Sequence, residues 1–479
     1  MILGQVFERF VEESPISVMV RGLLETILSP QKLDELFEKS TKTQYTKELL
    51  FSTIVEMMNE VACGIRPSIH AAYQAKAATM SVSVTSVYNK LNGMESNVSA
   101  ELVRETGASM EAIVRHLKGN LPDWLPGYRL KILDGNAIAA SEHRLKPLRT
   151  CNSAPLPGQS LVVLDPSLML AIDVFLCEDG HAQERSKLAQ VLATVESDDV
   201  WIADRNFCTL NFLSGIVAKA GYFIIREHKC LPWHDASEFS RIGSIEGGKV
   251  WEQIVKVSDD EGYLSTIRCV QVILDETTRD GDSEISILTN LPSTVANALV
   301  IAQIYRKRWT IETLFQILTE IFNCEIKTLG YPKAALFAFC VALVSYNILA
   351  VVLAALRSVH GIERYARANA FALCAVRCLQ KIEHEVSSYY LADEIRGTYR
   401  GMMIAIPPPE WQVFSQINLI NFSKILQDLA TKVNLAVFLS HPRSTKKTKK
   451  WVKKTRPTKK PHVSTAKILS QNKAQKQTP

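Results

Sequence analysis

No two cysteines in this sequence are spaced as CxxC, although ten cysteines are present. Cys374 and Cys378 stand four residues apart in an apolar helical pattern, which is more often core packing than a metal site. Scattered thiols of this kind are typical of a reducing cytosol. The first residues lack the apolar run of an export signal, because Glu8 and Arg9 interrupt it, so we expect no signal peptide.

Acidic residues are absent from residues 441–479, which contain thirteen lysines and arginines. The chain as a whole has a formal charge of +6, so the rest of it carries −7, the difference between +6 and 13. A basic tail of this kind suits phosphate backbones or acidic surfaces. Its low apolar content predicts disorder, and the alternative is a solvated end that only keeps the chain soluble.

Charged residues are also absent from residues 334–356, a stretch long enough to span a bilayer. Against that interpretation, the polar residues Ser345, Tyr346 and Asn347 lie at its centre and the stretch is rich in alanine. We therefore predict a buried central helix and no membrane association.

The remaining composition is ordinary for a soluble globular protein, with 47% hydrophobic and 22% charged residues. A length of 479 residues predicts two to four modules. Residues 1–120 form a predicted helical N-terminal domain, with helix formers around Gln44–Cys63, a polar stretch SVSVTSVYNKLNG, and a second helix near Asn97–Leu117. This pattern is compatible with a helix-turn-helix that binds DNA ends, and equally with other short helical bundles.

From about residue 128 the sequence contains apolar runs of strand length that are rich in Val, Ile and Leu. Such runs are typical of strands buried on both faces, and helical patterns separate the later ones. The predicted order is three strands, a helix, a strand, a helix and a strand, which favours an α/β fold. The runs are RLKILD (129–134), SLVVLD (160–165), LMLAIDVFL (168–176), VWIAD (200–204) and YFIIR (222–226).

Beyond this α/β region, period-two stretches broken by SDDEG and TTRDGDSE predict a β-rich insertion. Pro292-Ser293 offers the start of further helices, and residues 359–440 have a helical pattern with a break at IPPPEW. The predicted organisation after the N-terminal domain is a first core part (121–229), the insertion (230–291), a second core part (292–380), a helical C-terminal region (381–440) and the basic tail (441–479).

Three carboxylates are candidates for catalysis. Asp134 and Asp204 each end a predicted buried strand, where an unpartnered charge is costly, and Glu312 lies on the helical stretch IYRKRWTIETLFQIL. Three acids without His or Cys suit Mg²⁺ or Mn²⁺, and two such ions about 4 Å apart promote phosphoryl transfer. With 49 acidic residues, however, other choices exist: Asp165 and Asp173 also follow strand-like runs, and any of these acids can be a turn residue or a helix cap.

The helix around Glu312 places Tyr305, Arg308 and Glu312 on one face, at positions i, i+3 and i+7. A phenol and a guanidinium beside a metal carboxylate are suited to bind DNA phosphate. The alternative is a surface helix with an ordinary Arg–Glu pair. Trp309 has two interpretations as well, a base-stacking residue or a core residue.

Several segments together resemble bacterial insertion-sequence transposases of the IS-four type, whose members often form a DNA hairpin. The resemblance covers most of residues 120–380, and the motifs occur in the family's order. They are LDGNAIAASEHRLKPLR (133–149), APLPGQSLVVLDP (154–166), DVFLCEDGHAQERS (173–186), VWIADRNFCTLNFL (200–213) and YRKRWTIE (305–312), with weaker matches at HPRS and HVSTAKIL.

The resemblance implies a DDE catalytic core on an RNase H-like fold, with Asp134, Asp204 and Glu312 as the acids that hold two Mg²⁺ or Mn²⁺ ions. It implies phosphate contacts from Tyr305 and Arg308, within the family signature Tyr-x2-Arg-x3-Glu. That signature continues with a lysine seven residues after the glutamate, where this chain has Thr319, and Lys327 is too far along to replace it.

Further DNA contacts are expected from residues around this core. The insertion resembles one that places an aromatic side chain at a flipped base, and Trp251 is the candidate. For His181 and Arg185 we favour a structural or DNA-contact role over metal ligation. Additional DNA-binding candidates are Arg205, beside Asp204, and four lysines of the tail: Lys446, Lys447, Lys453 and Lys454.

The function implied is cut-and-paste transposition, with double-stranded DNA as partner through terminal inverted repeats and target. By analogy we expect a homodimer on DNA and a cytoplasmic, nucleoid-associated protein. The alternatives are a catalytically inactive DNA-binding protein derived from a transposase, which Thr319 favours, and a membrane protein, which rests on residues 334–356 alone.

Overall fold

One ten-stranded sheet organises the part of the chain described by the computed structural model, which comprises residues 4–44, 48–258, 264–278, 281–361, 408–438 and 461–477. Seven α-helices precede the sheet: α1 (Glu8–Glu13), α2 (Pro15–Ile27), α3 (Pro30–Ser40), α4 (Phe51–Ala62), α5 (Ile69–Lys76), α6 (Val84–Gly93) and α7 (Ser96–Leu117). The longest, α7, packs directly on the sheet. The N-terminal region is therefore helical and shares a core with the sheet.

Helix α6 occupies a stretch that we expected to be a polar break. The Ser83 hydroxyl caps it by accepting a hydrogen bond from the Ser86 N–H at 3.2 Å, which satisfies an unpaired donor of the first turn. Val87 and Leu91 are fully buried on its inner face. Capping and two apolar side chains one turn apart thus outweigh the low helix propensity of this sequence.

The first half of the sheet has the mixed order β4-β3-β1-β5-β6. Strand β1 is antiparallel to β3, β3 is antiparallel to β4, and β1, β5 and β6 run parallel through helical crossovers α8 (Leu188–Ala193) and α9 (Leu210–Ala218). This central mixed sheet with flanking helices fits an RNase H-like fold. The strands are β1 (Arg129–Ala137), β3 (Gln159–Asp165), β4 (Leu170–Cys177), β5 (Asp199–Ala203) and β6 (Tyr222–Arg226), and the short β2 (Ala154–Leu156) lies outside this sheet.

The predicted β-rich insertion forms strands that extend this same sheet. Strand β11 returns to pair antiparallel with β6, with Leu288 opposite Ile225, and the order continues as β10-β9-β7 with β8 on β9. The insertion is thus hydrogen-bonded to the core along one edge. Its strands are β7 (Trp233–His234), β8 (Ser240–Ile245), β9 (Gly248–Ser258), β10 (Leu264–Leu274) and β11 (Glu284–Thr289).

Helices α10 (Ala298–Arg306), α11 (Thr310–Glu320) and α12 (Pro332–His360) follow the sheet. Helix α12 is long and apolar enough to cross a membrane, but 94% of its most apolar window is buried inside the protein. It packs against α7, α4 and β4. The prediction of a buried central helix agrees with this placement.

The polar centre of α12 has internal hydrogen-bond partners. Asn347 is fully buried and bonds both backbone groups of Ala171 in β4, accepting from the N–H and donating to the carbonyl, each at 2.8 Å. Ser345 donates to Asn59 Oδ1 of α4 at 3.0 Å. Because buried polar groups are costly without partners, these bonds fix the register of α12 against the sheet.

Replacing Asn347 by leucine is expected to destabilise the fold by about 2–4 kcal/mol, because the N–H and carbonyl of Ala171 are left buried and unpaired. Thermal melting would show a fall of several degrees. Ser358→Ala in the same helix is the control, since among the described residues the Ser358 hydroxyl donates only to the carbonyl of Ala355 in its own helix. Equal melting temperatures for Asn347→Leu and the wild type would contradict the assigned role.

The C-terminal part described includes helices α13 (Pro408–Trp411), α14 (Val413–Gln416) and α15 (Leu419–Thr431), and then β12 (His462–Ser464) and α16 (Thr465–Gln477). The last two lie within the region expected to be a disordered tail, so that expectation is wrong for residues 461–477. The physical reason is strand pairing: β12 runs parallel to β2, Ser464 and Thr465 are buried, and Lys467 pairs with Asp179 at 3.1 Å.

Candidate active site

Two aspartates stand side by side at the centre of the sheet. The parallel pairing of β1 with β5 ends with Leu133 opposite Ala203. Asp134 and Asp204 are the residues that follow these two in the sequence. Side chains at matching positions of neighbouring parallel strands point to the same face, and the strands are about 4.8 Å apart. The register therefore places the two aspartates at neighbouring positions of the sheet.

The surroundings of the two aspartates differ in one detail from the expectation that each ends its strand. Strand β1 continues to Ala137, since Asp134 still pairs with Val162 of β3. Asp204 does follow the end of β5, and its carboxylate caps the next turn by accepting a hydrogen bond from the Asn206 N–H at 2.7 Å. One acid is thus held by the sheet and the other by a turn.

Glu312 lies in the first turn of α11, which packs against β1. The helix is not continuous through Tyr305, Arg308 and Glu312, because a 3₁₀ turn at Lys307–Trp309 separates α10 from α11. Arg308 Nη2 nevertheless lies 4.0 Å from Glu312 Oε1. Two of the three residues predicted to share a face are thus adjacent in spite of the break.

Arg308 connects the acids. Its Nη1 donates to Asp134 Oδ2 at 2.6 Å, and both side chains are mostly buried. Burial raises the pKa of Asp134 to about 7; Arg308 and the Gly135 N–H oppose this, and the negative charges of Asp204 and Glu312 add to it. The carboxylate of Asp134 is therefore electrostatically coupled to both other acids of the predicted triad.

Tyr305 contacts Arg308 and is only 9% exposed. Burial raises the pKa of its hydroxyl to about 12, although the positive charges of Arg308 and Arg226 act in the opposite direction, as does a hydrogen bond between Tyr305 and Arg308. A phenol in this position orients the guanidinium of Arg308. Direct contact between Tyr305 and phosphate, as the sequence predicts, requires access that its burial restricts.

The fit of the site to a divalent cation follows from its donor atoms. In the described part of the chain, no three His, Cys, Asp or Glu side chains converge closely enough to hold a metal ion as they stand. The carboxylates offer only oxygen, however, and burial raises the pKa of Asp134 although Arg308 and the Gly135 N–H act against it. These properties fit Mg²⁺ or Mn²⁺, with Arg308 supplying the positive charge in the arrangement observed.

A fourth carboxylate, Glu184, borders the two aspartates. Asn206 Nδ2 donates to Glu184 Oε2 at 3.4 Å, and Arg185 Nε donates to the carbonyl of Asn206 at 2.6 Å. Burial and the negative charge of Asp204 raise the pKa of Glu184. The sequence showed only that Glu184 precedes Arg185 in a family motif, because its distance from Asp204 depends on the path of the connection between β4 and β5.

The other aspartates that follow strand-like runs have structural partners. Asp165 accepts hydrogen bonds from the N–H groups of Ser167 and Leu168 and pairs with Arg129 at 3.2 Å. Asp173 pairs with Arg104 of α7 at 2.6 Å. These two acids therefore stabilise a turn and a helix–sheet contact.

The remaining predicted DNA contacts have different surroundings. Arg205 is exposed in the turn after Asp204. Trp251 alternates with Val250 on β9, and this parity places it on the sheet face of Val255, opposite to the face that carries Ile132 and hence Asp134. Its indole N–H is buried without a hydrogen-bond partner among the described residues. The predicted lysines Lys446, Lys447, Lys453 and Lys454, like Cys374 and Cys378, lie outside the described residues.

Two residues near Glu312 resolve questions left open by the sequence. Trp309 is 59% exposed in the 3₁₀ turn between Arg308 and α11, so it is not a core residue. The Thr319 hydroxyl donates to the carbonyls of Phe315 and Gln316 in its own helix, at 3.0 and 3.1 Å. Thr319 thus offers no positive charge and directs its donor to the backbone.

Comparison with known proteins supports one family. Residues 159–348 match the model of a family described as "Transposase DDE domain". The matched region runs from β3 into α12 and includes Asp204, Arg308 and Glu312, whereas Asp134 precedes it. A comparison with curated proteins finds no match. The family match, together with the mixed sheet, supports a DDE transposase.

Proposed function

We propose that this chain is a transposase that cleaves DNA at the ends of an insertion sequence and joins the freed ends to target DNA. The observation that supports this most directly is the register of β1 with β5, which puts Asp134 and Asp204 at neighbouring positions. Arg308 bonds Asp134 at 2.6 Å and lies 4.0 Å from Glu312. The family match includes two of these acids.

Asp134, Asp204 and Glu312 are the proposed ligands of Mg²⁺ or Mn²⁺, in the number of two ions that the family resemblance implies. Bound at these carboxylates, such ions activate a water or hydroxyl and stabilise the leaving oxygen of a phosphodiester. Arg308 can exchange its bond to Asp134 for a bond to phosphate, because a guanidinium binds both anions in the same geometry. Tyr305 keeps Arg308 directed at the site.

The proposed reaction has two steps that use the same residues. Water attacks the phosphorus at the element's end and loses a proton to one of the three carboxylates, while the bond from phosphorus to the 3′ oxygen breaks and that oxygen leaves as a hydroxyl. The freed 3′ hydroxyl then attacks the opposite strand, as a hairpin-forming member of the IS-four type would do, or the target strand. Glu312 is 38% exposed, so this side of the site is open to a large substrate.

DNA recognition is assigned to surfaces around the site. The helical N-terminal domain is proposed to bind the terminal inverted repeats, and Arg205 together with Lys446, Lys447, Lys453 and Lys454 to add salt-sensitive affinity for phosphate. For Trp251 we retain only an indirect role, since its face of the sheet is opposite to that of Asp134. We further propose that the protein is cytoplasmic and nucleoid-associated, and that it acts as a homodimer on DNA.

Trp309 is a better candidate than Trp251 for stacking on an unpaired base, because it is exposed directly beside Arg308. Trp309→Ala is expected to weaken binding of an unpaired DNA end by about 1–3 kcal/mol, the usual contribution of one stacked base. Fluorescence titration with single-stranded and fully paired ends measures the effect. Trp233→Ala, which removes another exposed tryptophan on β7, is the control. An equal loss for both DNA forms would contradict base stacking.

The proposal is tested with purified protein, Mg²⁺ and DNA that carries the inverted repeats flanking the coding region. Strand cleavage at the repeat boundary is expected, and neither a chelator-treated sample nor DNA without repeats should give it. The alternative is a DNA-binding protein with an inactive core, which Thr319 favours. Binding of the repeats without nicking in either Mg²⁺ or Mn²⁺ would establish that alternative.

A further inference from the structure

We infer that Glu184 is a positioning residue that holds Asp134 and Asp204 in register, and that Gly135 lacks a side chain in order to admit it. This inference rests on the proposed function, because it assigns a task within the same site. Glu184 lies in a short 3₁₀ turn, Glu184–Lys187, between β4 and β5, and so belongs to neither of the strands that carry the aspartates.

The contact with Asp134 is made through Gly135. A β-carbon added at Gly135 would overlap Oε1 of Glu184. The backbone of Gly135 is not in the left-handed region, so its conformation does not require glycine. Glu184 therefore occupies the space that a side chain at position 135 would take, and a methyl group there would displace its carboxyl end.

The contact with Asp204 is made through Asn206. The amide of Asn206 donates to Glu184 Oε2 at 3.4 Å, while the backbone N–H of the same residue donates to Asp204 Oδ1 at 2.7 Å. Arg185 donates to the carbonyl of Asn206 at 2.6 Å. Two successive residues of the 184–187 segment thus hold one turn, which in turn orients the Asp204 carboxylate.

These contacts place Glu184 between the residue that follows Asp134 and the turn that follows Asp204. A side chain that packs on the residue after Asp134 and bonds the turn after Asp204 limits how far the two carboxylates can separate. Partners that orient metal-binding carboxylates in this way typically change metal affinity by about 10–100-fold when they are removed. The same substitution in a purely structural contact would change stability without changing the metal dependence.

The test is a double-mutant cycle on the full chain with Glu184→Ala, Gly135→Ala and the double variant. The readout is the Mn²⁺ concentration that gives half of the metal-dependent rise in melting temperature. Each single variant is expected to raise this midpoint about tenfold, because the methyl group added by Gly135→Ala displaces the same side chain that Glu184→Ala removes. The double variant should show no further increase. Glu196→Ala, an exposed acid before β5, should leave the midpoint unchanged.

Glu184→Gln separates position from charge, since its amide oxygen can still accept from Asn206. Its midpoint is expected within about twofold of the wild type. The inference is overturned if the two single effects multiply in the double variant, if neither single variant changes the midpoint, or if Glu184→Gln is as impaired as Glu184→Ala. DNA cleavage by the wild type is measured separately. If the variants give the expected metal-binding midpoints but the wild type does not cut DNA, the proposed function is rejected and this inference is still supported.

Discussion

Cleavage of a DNA end is expected to fall at least about a thousandfold when Glu312 is replaced by glutamine. The substitution keeps the size of the side chain and its place in the first turn of α11, but it removes one of the three negative charges of the proposed metal site. A thousandfold loss corresponds to about 4 kcal/mol of the activation barrier. Gel assays of strand cleavage in Mg²⁺ measure the rate, and filter binding measures DNA affinity.

The matched control for Glu312→Gln is Glu320→Gln. Glu320 lies in the same helix two turns later, is exposed, and accepts a hydrogen bond only from Gln316 among the described contacts. Its substitution should leave both cleavage and DNA binding within about twofold of the wild type. Cleavage by Glu312→Gln at the wild-type rate would remove Glu312 from the site and with it the proposed mechanism.

The second large effect concerns Asp134→Asn, which should abolish cleavage and yet stabilise the metal-free protein at pH 8. In the folded protein, burial raises the pKa of Asp134 from an ordinary value of 3.8 to about 7. The positive charge of Arg308 lowers this pKa, but by less than burial raises it. The contribution of the protonated carboxyl to stability is full below pH 3.8 and is lost as the pH rises through 7. Asparagine keeps the neutral form at every pH.

We therefore expect the free energy of unfolding of Asp134→Asn to be higher than that of the wild type by about 2–4 kcal/mol at pH 8. At about pH 5.5 the difference should be roughly half of that. Melting in the presence of a chelator at the two pH values measures the difference. Saturating Mg²⁺ should stabilise the wild type and not the variant, because binding of the ion requires the ionised carboxylate. The opposite result, a variant that melts at a lower temperature than the wild type at pH 8, would contradict this prediction. It would show that the ion pair with Arg308 stabilises the charged Asp134 by more than burial destabilises it.

The sequence carries much of the site because buried parallel strands are continuous apolar runs that end in a polar residue. The runs 129–134 and 200–204 therefore predict both strands and both aspartates, and the register of β1 with β5 places them side by side. Glu312 is a candidate from its helical stretch, but the family resemblance selects it among the other acids, since nothing in a helical pattern shows which turn meets the sheet. Asp165 and Asp173 illustrate the same limit: their ion pairs with Arg129 and Arg104 depend on α7 and on distant strands.

The structural features that could not be predicted from the sequence depend on contacts between distant segments. The return of β11 to β6 joins the predicted insertion to the sheet, and the pairing of β12 with β2 orders residues beyond the basic stretch. A 3₁₀ turn at Lys307–Trp309 interrupts a pattern that is uniformly helical in sequence. Each results from tertiary packing, which overrides local preference and which spacing alone does not reveal.

The covering of α12 has a consequence for the newly made chain. One of the helices packed on α12 is α15, which follows it in sequence by many residues. During translation the uncharged stretch 334–356 therefore leaves the ribosome before α15, which covers part of it, has been synthesised. An exposed apolar segment of that length is a target for chaperones and a nucleus for aggregation, so production in cells should depend on chaperone supply more than the stability of the finished molecule suggests.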